Sequence, residues 1–189
     1  MQRGIFLISF ELYYSQLVIL LTVIWITLRV VVAIKNKGVN VKRELQLLPV
    51  YCCILLIARF VYFPMETEDG HVFPLKFNSG KVWPFWINWK PIEHMFDEYD
   101  EWLINIIGNV AMFIPVGIVW PFCFQKLDRI WKTVLAGFLL SLFIEISQLL
   151  FYQRISDVDD LIMNTTGTLI GALIYFGVRR LKRRLGEAP

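Results

Sequence analysis

Apolar residues along this chain form five long runs, and the short stretches between them hold most of the charged residues. The runs cover roughly residues 12–34, 47–63, 102–121, 131–151 and 158–178. A helix needs about 20 mostly apolar residues to cross the hydrocarbon core of a bilayer, and each run is close to that length. The pattern therefore predicts an all-α, polytopic membrane protein, a bundle of about five transmembrane helices.

The composition agrees with this prediction and excludes several other classes of protein. Of the 189 residues, 57% are hydrophobic and 19% are charged, whereas soluble domains carry about 45–50% and about 25%. A soluble enzyme, a disulfide-built secreted domain and a disordered tail are therefore excluded. Residues 1–11 lack the basic start and the cleavage site of a signal peptide, so we expect the first span to be retained.

Basic residues are concentrated on alternate connections between the spans. Twelve lie on one side of the predicted bundle: Lys35, Lys37, Lys42, Arg43, Lys126, Arg129, Lys132, Arg179, Arg180, Lys182, Arg183 and Arg184. The connections on the other side carry mostly acidic residues. Because Lys and Arg favour the cytoplasmic side, we expect the N-terminus outside and the C-terminus in the cytoplasm. The net charge of +3 thus reports orientation rather than a nucleic-acid partner.

Ionisable and amide side chains inside the predicted spans fall toward the outer side of the bilayer. A helix rises about 1.5 Å per residue, which places Glu145 roughly 21 Å from the cytoplasmic start of its span. Asn164 lies roughly 9 Å from the outer start of the last span. The same leaflet is expected to hold Arg59, Asn105, Asn109, Gln148, Asp157 and Asp160. The sequence therefore predicts a polar cleft open to the outside, with Gly167 and Gly171 packing helices tightly toward the cytoplasm.

Each of these polar residues also has a purely structural interpretation. Asn105 and Asn109 have the character of interhelical hydrogen-bond partners, and Asp157 is suited to cap the last span. Glu145 would serve equally to neutralise Arg59 or Arg154. Arg59 is also long enough to extend to the outer interface instead of entering the cleft.

The connection of residues 64–101 contains an aromatic segment, residues 82–92, with three tryptophans and two prolines. This composition fits a re-entrant or interfacial segment at the level of the lipid headgroups, or a plain aromatic belt. His71 and His94 lie in the same connection, where we expect them to be solvated. The cysteines Cys52, Cys53 and Cys123 have no metal-binding spacing, so we expect no metal and no cofactor.

Several spaced motifs resemble the VanZ-like family. They are Asn105-x-x-Gly108-Asn109, continuing to Phe113, Pro115 and Gly117; Ser141-x-x-x-Glu145-x-x-Gln148; and Arg154, followed by Asp157 to Gly167. Asn88-x-x-Pro91 resembles a further element of the family, with Ile92 where an aromatic residue is usual. The resemblance covers residues 47–178. It implies a VanZ-like domain there, preceded by an extra transmembrane helix and cytoplasmic linker (1–46) and followed by a basic cytoplasmic tail (179–189).

The resemblance implies a multi-pass protein of the bacterial cell membrane. The family's namesake lowers susceptibility to teicoplanin, a glycopeptide antibiotic with an acyl chain, although many members have no assigned role. The implied function is to lower susceptibility to such lipid-tailed glycopeptides, through an outer cleft that engages the amphiphile. The expected ligand-binding residues are Arg59, Asn88, Asn105, Asn109, Glu145, Gln148, Arg154, Asp157, Asp160 and Asn164.

Two other functions remain open. An enzyme or carrier acting on an envelope lipid, such as an isoprenoid phosphate or a wall precursor, would use carboxylates as acid and base and Arg154 as an anion clamp. It would alternatively hold a divalent cation through Glu145, Asp157 and Asp160. The lack of an activated Ser, Cys or His favours a non-enzymatic role. A structural scaffold or accessory subunit is the third possibility, and the oligomeric state is left open.

Overall fold

A computed structural model of the chain describes residues 8–63, 67–68, 71–91 and 102–186. Within these ranges the chain forms five long helices: α1 (Tyr14–Lys35), α2 (Val41–Tyr62), α3 (Trp102–Cys123), α4 (Ile130–Gln148) and α5 (Val158–Arg184). All five are long and apolar enough to cross a membrane. The chain is therefore a multi-pass membrane protein, as the hydrophobic runs predicted, while its orientation in the membrane stays a prediction.

Two helices extend beyond the predicted spans into basic sequence. α2 begins at Val41 because the side chain of Asn40 accepts a hydrogen bond from the Arg43 amide, at 3.1 Å, and so caps the helix. α5 continues to Arg184, so most of the predicted tail is helical. Basic side chains in a last turn face the negative end of the helix dipole, which stabilises that extension.

Three short two-stranded ladders connect the helices. β1 (Ser9–Leu12) pairs antiparallel with β4 (Leu75–Asn78), and β2 (Thr67–Glu68) pairs antiparallel with β3 (His71–Val72). β5 (Ile87–Asn88) pairs in parallel with β6 (Ser156–Asp157). Strand β1 precedes α1, and the other strands lie in the connections at one end of the bundle, where α2 and α4 end and α3 and α5 begin. We call this the polar end and the opposite one the basic end. The all-α prediction holds for the bundle but missed these ladders.

Glycines allow α5 to pack so closely against its neighbours that there is no room for a Cβ atom at the contact. A Cβ added to Gly167 would lie 2.2 Å from the Val110 carbonyl oxygen of α3, and one on Gly171 would lie 2.1 Å from that of Ile114. A Cβ on Gly137 of α4 would lie 2.3 Å from an α5 side chain. The predicted close packing at Gly167 and Gly171 is therefore confirmed.

The buried core is formed by α2 to α5, and α1 lies at its edge. One buried cluster joins Ile57 of α2, Phe113 and Val116 of α3 and Ile144 of α4. No residue of α1 is buried. α1 contacts α2 through two hydrogen bonds of 2.7 and 2.6 Å from Arg29 to Glu44, and through Trp25, which packs against a second buried cluster that includes Leu47 and Val50.

Candidate functional site

Glu145 connects the polar end of α4 to the start of α5 through hydrogen bonds. Its Oε2 accepts a hydrogen bond from the Asp157 backbone amide at 2.9 Å and another from the Ser156 hydroxyl at 3.2 Å. The residue is only 5% exposed. A buried carboxylate at the beginning of a helix is stabilised by the positive end of the helix dipole.

Asp157 begins α5 and also holds the aromatic segment. Its Oδ1 accepts from the Asp159 amide at 2.8 Å, so the predicted capping role is confirmed. Its Oδ2 accepts from the Asn88 side-chain amide at 3.2 Å. The Trp86 carbonyl oxygen accepts from the Ser156 amide at 3.1 Å. Strand β5, and with it the aromatic segment, is therefore tied directly to the residues that contact Glu145.

Asp160 links α5 to α3 through an amide. Asn109 donates from its side-chain nitrogen to Oδ1 of Asp160 at 2.7 Å and to Oδ1 of Asn105 at 3.2 Å. Asn109 is buried, whereas Asn105 is exposed on the first turn of α3. The predicted interhelical role is confirmed for Asn109, whose partner across the helix pair is Asp160.

Gln148 and Asn164 each carry an amide oxygen that lacks a hydrogen-bond partner among the described residues. Gln148 donates from its nitrogen to the Val61 carbonyl oxygen at 3.2 Å, and Asn164 donates to the Ser141 hydroxyl at 3.0 Å. Their exposed fractions are 5% and 1%. Because the Val61 oxygen only accepts, the nitrogen of Gln148 must face it and the oxygen must point elsewhere.

Arg154 caps the end of α2. Its guanidinium donates to the Tyr62 carbonyl oxygen, one of the carbonyls that a helix end leaves without an internal partner. Burial lowers the pKa of Arg154 from its ordinary value, and the nearby Asp160 carboxylate acts in the opposite direction. The group thus supplies a positive charge beside the acidic residues of α5.

Arg59 is the predicted site residue that the structure places apart from the others. It donates to the Phe63 carbonyl oxygen at 3.1 Å, and its guanidinium lies 5.7 Å from the Tyr14 ring and 5.8 Å from the Phe60 ring. Glu145 forms no ion pair with Arg59 or with Arg154 in the described part of the chain. The interpretation of Glu145 as a neutralising partner for either arginine is therefore wrong.

The structure thus assembles a polar cluster, consisting of Asn109, Glu145, Gln148, Arg154, Asp157, Asp160 and Asn164, with Asn88 and Asn105 at its edge. These groups bond mainly to one another and to helix ends. Four of them (Asn109, Glu145, Gln148 and Asn164) are buried, whereas Arg154, Asp157 and Asp160 are partly exposed. The open cleft stays a prediction. An unpaired polar group in an apolar setting is costly, and mutual pairing removes that cost. Sequence reasoning missed Ser156 and the Val61 and Tyr62 carbonyls as partners, because backbone acceptors leave no signal in a sequence.

The aromatic segment beside the polar cluster exposes its tryptophans. Trp83, Trp86 and Trp89 are 74%, 63% and 72% exposed. Between residues 82 and 91 the backbone is irregular, with bends and a turn, apart from the two residues of β5. Ile92 and His94 lie outside the described residues, as does much of the connection that follows.

The acidic side chains of the cluster do not form an evident cation site. Glu145, Asp157, Asp159 and Asp160 interact electrostatically. However, no group of three His, Cys, Asp or Glu residues in the described ranges is arranged to hold a metal ion. A divalent cation held by Glu145, Asp157 and Asp160 therefore gains no support from the geometry.

Comparison with known proteins identifies the family. The VanZ/LLP1 family model matches residues 15–180. No curated protein and no solved structure matches the chain. The matched region includes nearly all of α1, and the division of the chain at residue 46 stays a prediction. With the match extending over all five helices and the polar cluster, the chain belongs to the VanZ/LLP1 family.

Proposed function

We propose that this protein lowers bacterial susceptibility to lipid-tailed glycopeptides of the teicoplanin type by binding them at its polar end. In this proposal the polar end faces the outside of the bacterial membrane. The observation that carries it is the direct attachment of an acceptor-rich buried cluster to an exposed aromatic segment. One ligand with a hydrogen-bonding head and an apolar tail would use both surfaces at once.

The balance of donors and acceptors in the polar cluster favours a ligand whose head group donates hydrogen bonds. Within the described part of the polar cluster, the three carboxylates of Glu145, Asp157 and Asp160 lie near one guanidinium, that of Arg154. The free oxygens of Gln148 and Asn164 add two further buried acceptors. A peptide and sugar head offers amide and hydroxyl donors to these groups, whereas a phosphate would bring more acceptors and negative charge. The same balance disfavours an isoprenoid phosphate as the ligand.

The aromatic segment would receive the tail and control access. Tryptophans at the membrane interface contact acyl chains on one side while their ring nitrogens stay in the wet headgroup layer. Strand β5 is held over the cluster by its two-residue ladder with β6 and by hydrogen bonds from Asn88 to Asp157 and from Ser156 to Trp86. We infer that the ligand displaces β5 and that its donors then meet Gln148 and Asn164.

Susceptibility measurements would test the proposal. Bacteria expressing the chain, Glu145→Gln or Asp160→Asn would be compared for growth in teicoplanin and in vancomycin, which lacks the tail. Asp128→Asn is the matched control, because it removes a carboxylate at the basic end. We expect protection against teicoplanin alone, and we expect only the polar-cluster variants to lose it.

Two outcomes would count against this function. Equal protection against both antibiotics would show that the acyl tail of the antibiotic is not needed for recognition. Full protection by correctly inserted Glu145→Gln and Asp160→Asn proteins would show that these carboxylates are not needed for the activity. That result would favour a structural role for the polar cluster.

A further inference from the structure

An apolar cavity of about 660 Å³, shallow and open along most of its outer side, lies between α4 and α5, away from the polar cluster. Its walls include Trp131, Val134 and Phe138 of α4 and Thr165 and Leu169 of α5. The Thr165 hydroxyl is bonded to the Leu161 carbonyl oxygen of its own helix at 2.7 Å, so it leaves the cavity wall apolar. A cavity of this character between two membrane helices accommodates hydrocarbon.

A second cavity, of about 580 Å³, lies at the basic end of the same helix. Its walls are formed by three arginines, Arg179, Arg180 and Arg183, together with Phe176 and one acidic residue, Asp128. Lys132 donates to Asp128 at 2.6 Å, which holds the pKa of that carboxyl below its ordinary value and balances its charge. The cavity is therefore strongly positive and complementary to an anion.

The two cavities are aligned along one face of α5. With 3.6 residues per turn, positions separated by 11 or 18 residues return to nearly the same angle. Phe176 and Arg183 therefore lie directly below Thr165 on the helix. Leu169 and Arg179 are separated by about 15 Å along the axis, which is about half the thickness of the hydrocarbon core.

The geometry points to a binding site for one anionic phospholipid in the leaflet at the basic end. Its acyl chain occupies the cavity between α4 and α5, and its phosphate binds Arg179 and Arg183, whose guanidinium groups match phosphate geometry. The site lies at the opposite end of the bundle from the polar cluster, so it does not depend on the function proposed above.

Native mass spectrometry of the purified full chain would test the headgroup half of the site. Phosphatidylglycerol and phosphatidylcholine with identical acyl chains would be added to the protein in detergent. We expect retention of phosphatidylglycerol, weakened roughly tenfold or more in the double variant Arg179→Gln, Arg183→Gln. The control Lys182→Gln, Arg184→Gln removes the same charge from other faces of α5 and should bind normally. Equal losses in the two double variants, or equal binding of both lipids, would overturn the proposal.

A cavity-filling variant and a soluble competitor would test whether the acyl chain occupies the apolar cavity. Val134→Trp places a large ring in the apolar cavity and should weaken phosphatidylglycerol binding while all three arginines remain. Glycerol phosphate, which has the charge but no tail, should not displace the lipid. Efficient displacement by glycerol phosphate would identify a simple anion site and overturn the lipid assignment. If Val134→Trp does not fold, phosphatidylglycerols of different chain length serve instead, and equal binding of short and long chains would overturn it.

Discussion

At the scale of single residues, the carboxylate of Glu145 supplies acceptors that the start of α5 would otherwise lack. The Asp157 amide and the Ser156 hydroxyl both donate to its Oε2. The first amides of a helix have no partners within the helix, and a buried one must be satisfied from outside. Glu145 is therefore structural as well as a candidate ligand-binding residue, and its variants must be chosen to separate the two roles.

We expect Glu145→Leu to destabilise the fold by about 1–3 kcal/mol, because it removes the acceptor of the partly buried Asp157 amide and of the buried Ser156 hydroxyl. Glu145→Gln keeps an oxygen that can accept the same hydrogen bonds, so it should cost clearly less. Thermal unfolding of the purified proteins in detergent micelles would measure the difference. Indistinguishable midpoints for the two variants would contradict the hydrogen-bonding role.

The glycines of α5 give a second prediction at this scale. Gly171→Ala would place a Cβ 2.1 Å from the Ile114 carbonyl oxygen, whereas Gly177 has nothing within 4 Å. Separating two packed backbones typically costs about 1–3 kcal/mol. Gly171→Ala should therefore lower the unfolding midpoint in a detergent titration. Gly177→Ala should keep or raise the midpoint, since alanine is the better helix former. If Gly177→Ala lowered the midpoint and Gly171→Ala did not, the assignment of the close helix contact to Gly171 would be wrong.

The sequence predicted which side chains gather at the polar end better than it predicted their partners. Helical spacing and depth placed Glu145, Gln148 and Asn164 in one region, and the structure brings them together. Glu145 accepts from the Asp157 amide and Gln148 donates to the Val61 carbonyl oxygen, where helix ends meet, and Asn164 donates to the Ser141 hydroxyl across the α4–α5 interface. Such contacts follow from tertiary packing, which a single sequence does not encode in any local pattern.

At the scale of elements, hydrophobic runs located all five helices because a membrane span requires a length that few other structures share. The sequence did not reveal the two-stranded ladders, because their strands are too short to leave a recognisable pattern. β5 and β6 have two residues each and pair residues 87–88 with 156–157. A two-residue strand has no alternating pattern to read, and its formation depends on a partner that is distant in sequence.

The attachment of β5 gives a prediction for the aromatic segment. Asn88→Ala removes the 3.2 Å hydrogen bond to Asp157 that joins β5 to β6, together with a local 3.3 Å hydrogen bond from the Lys90 amide. The bond to Asp157 is the one expected to affect Ser156. At about 0.5–1.5 kcal/mol for one bond, the Ser156 amide should exchange its hydrogen roughly 2–12-fold faster. The control Asn78→Ala removes a comparable bond in the loop after β4, to the Gly80 amide. Exchange at Ser156 measured by NMR should respond to Asn88→Ala only, and an equal response to both would show that β5 is not held locally.

At the scale of the whole molecule, the two ends of the bundle differ in charge and in chemistry. The polar end gathers carboxylates and amides, whereas the basic end carries arginines on α5 and lysines on the adjacent connections. Lys and Arg in short connections resist translocation across the membrane. This asymmetry is the basis for placing the polar cluster toward the outside, and both the antibiotic proposal and the leaflet of the proposed phospholipid depend on it.

Orientation can be measured directly with single cysteines in intact bacteria. Ser79 is exposed in the loop after β4 at the polar end, and Gln125 is exposed between α3 and α4 at the basic end. We expect a membrane-impermeant thiol reagent to label Ser79→Cys in intact cells and to label Gln125→Cys only after the membrane is opened. The unsubstituted chain serves as the blank for its three native cysteines. The reverse pattern would place the polar cluster in the cytoplasm, beyond the reach of an external antibiotic, and the proposed function would fail with it.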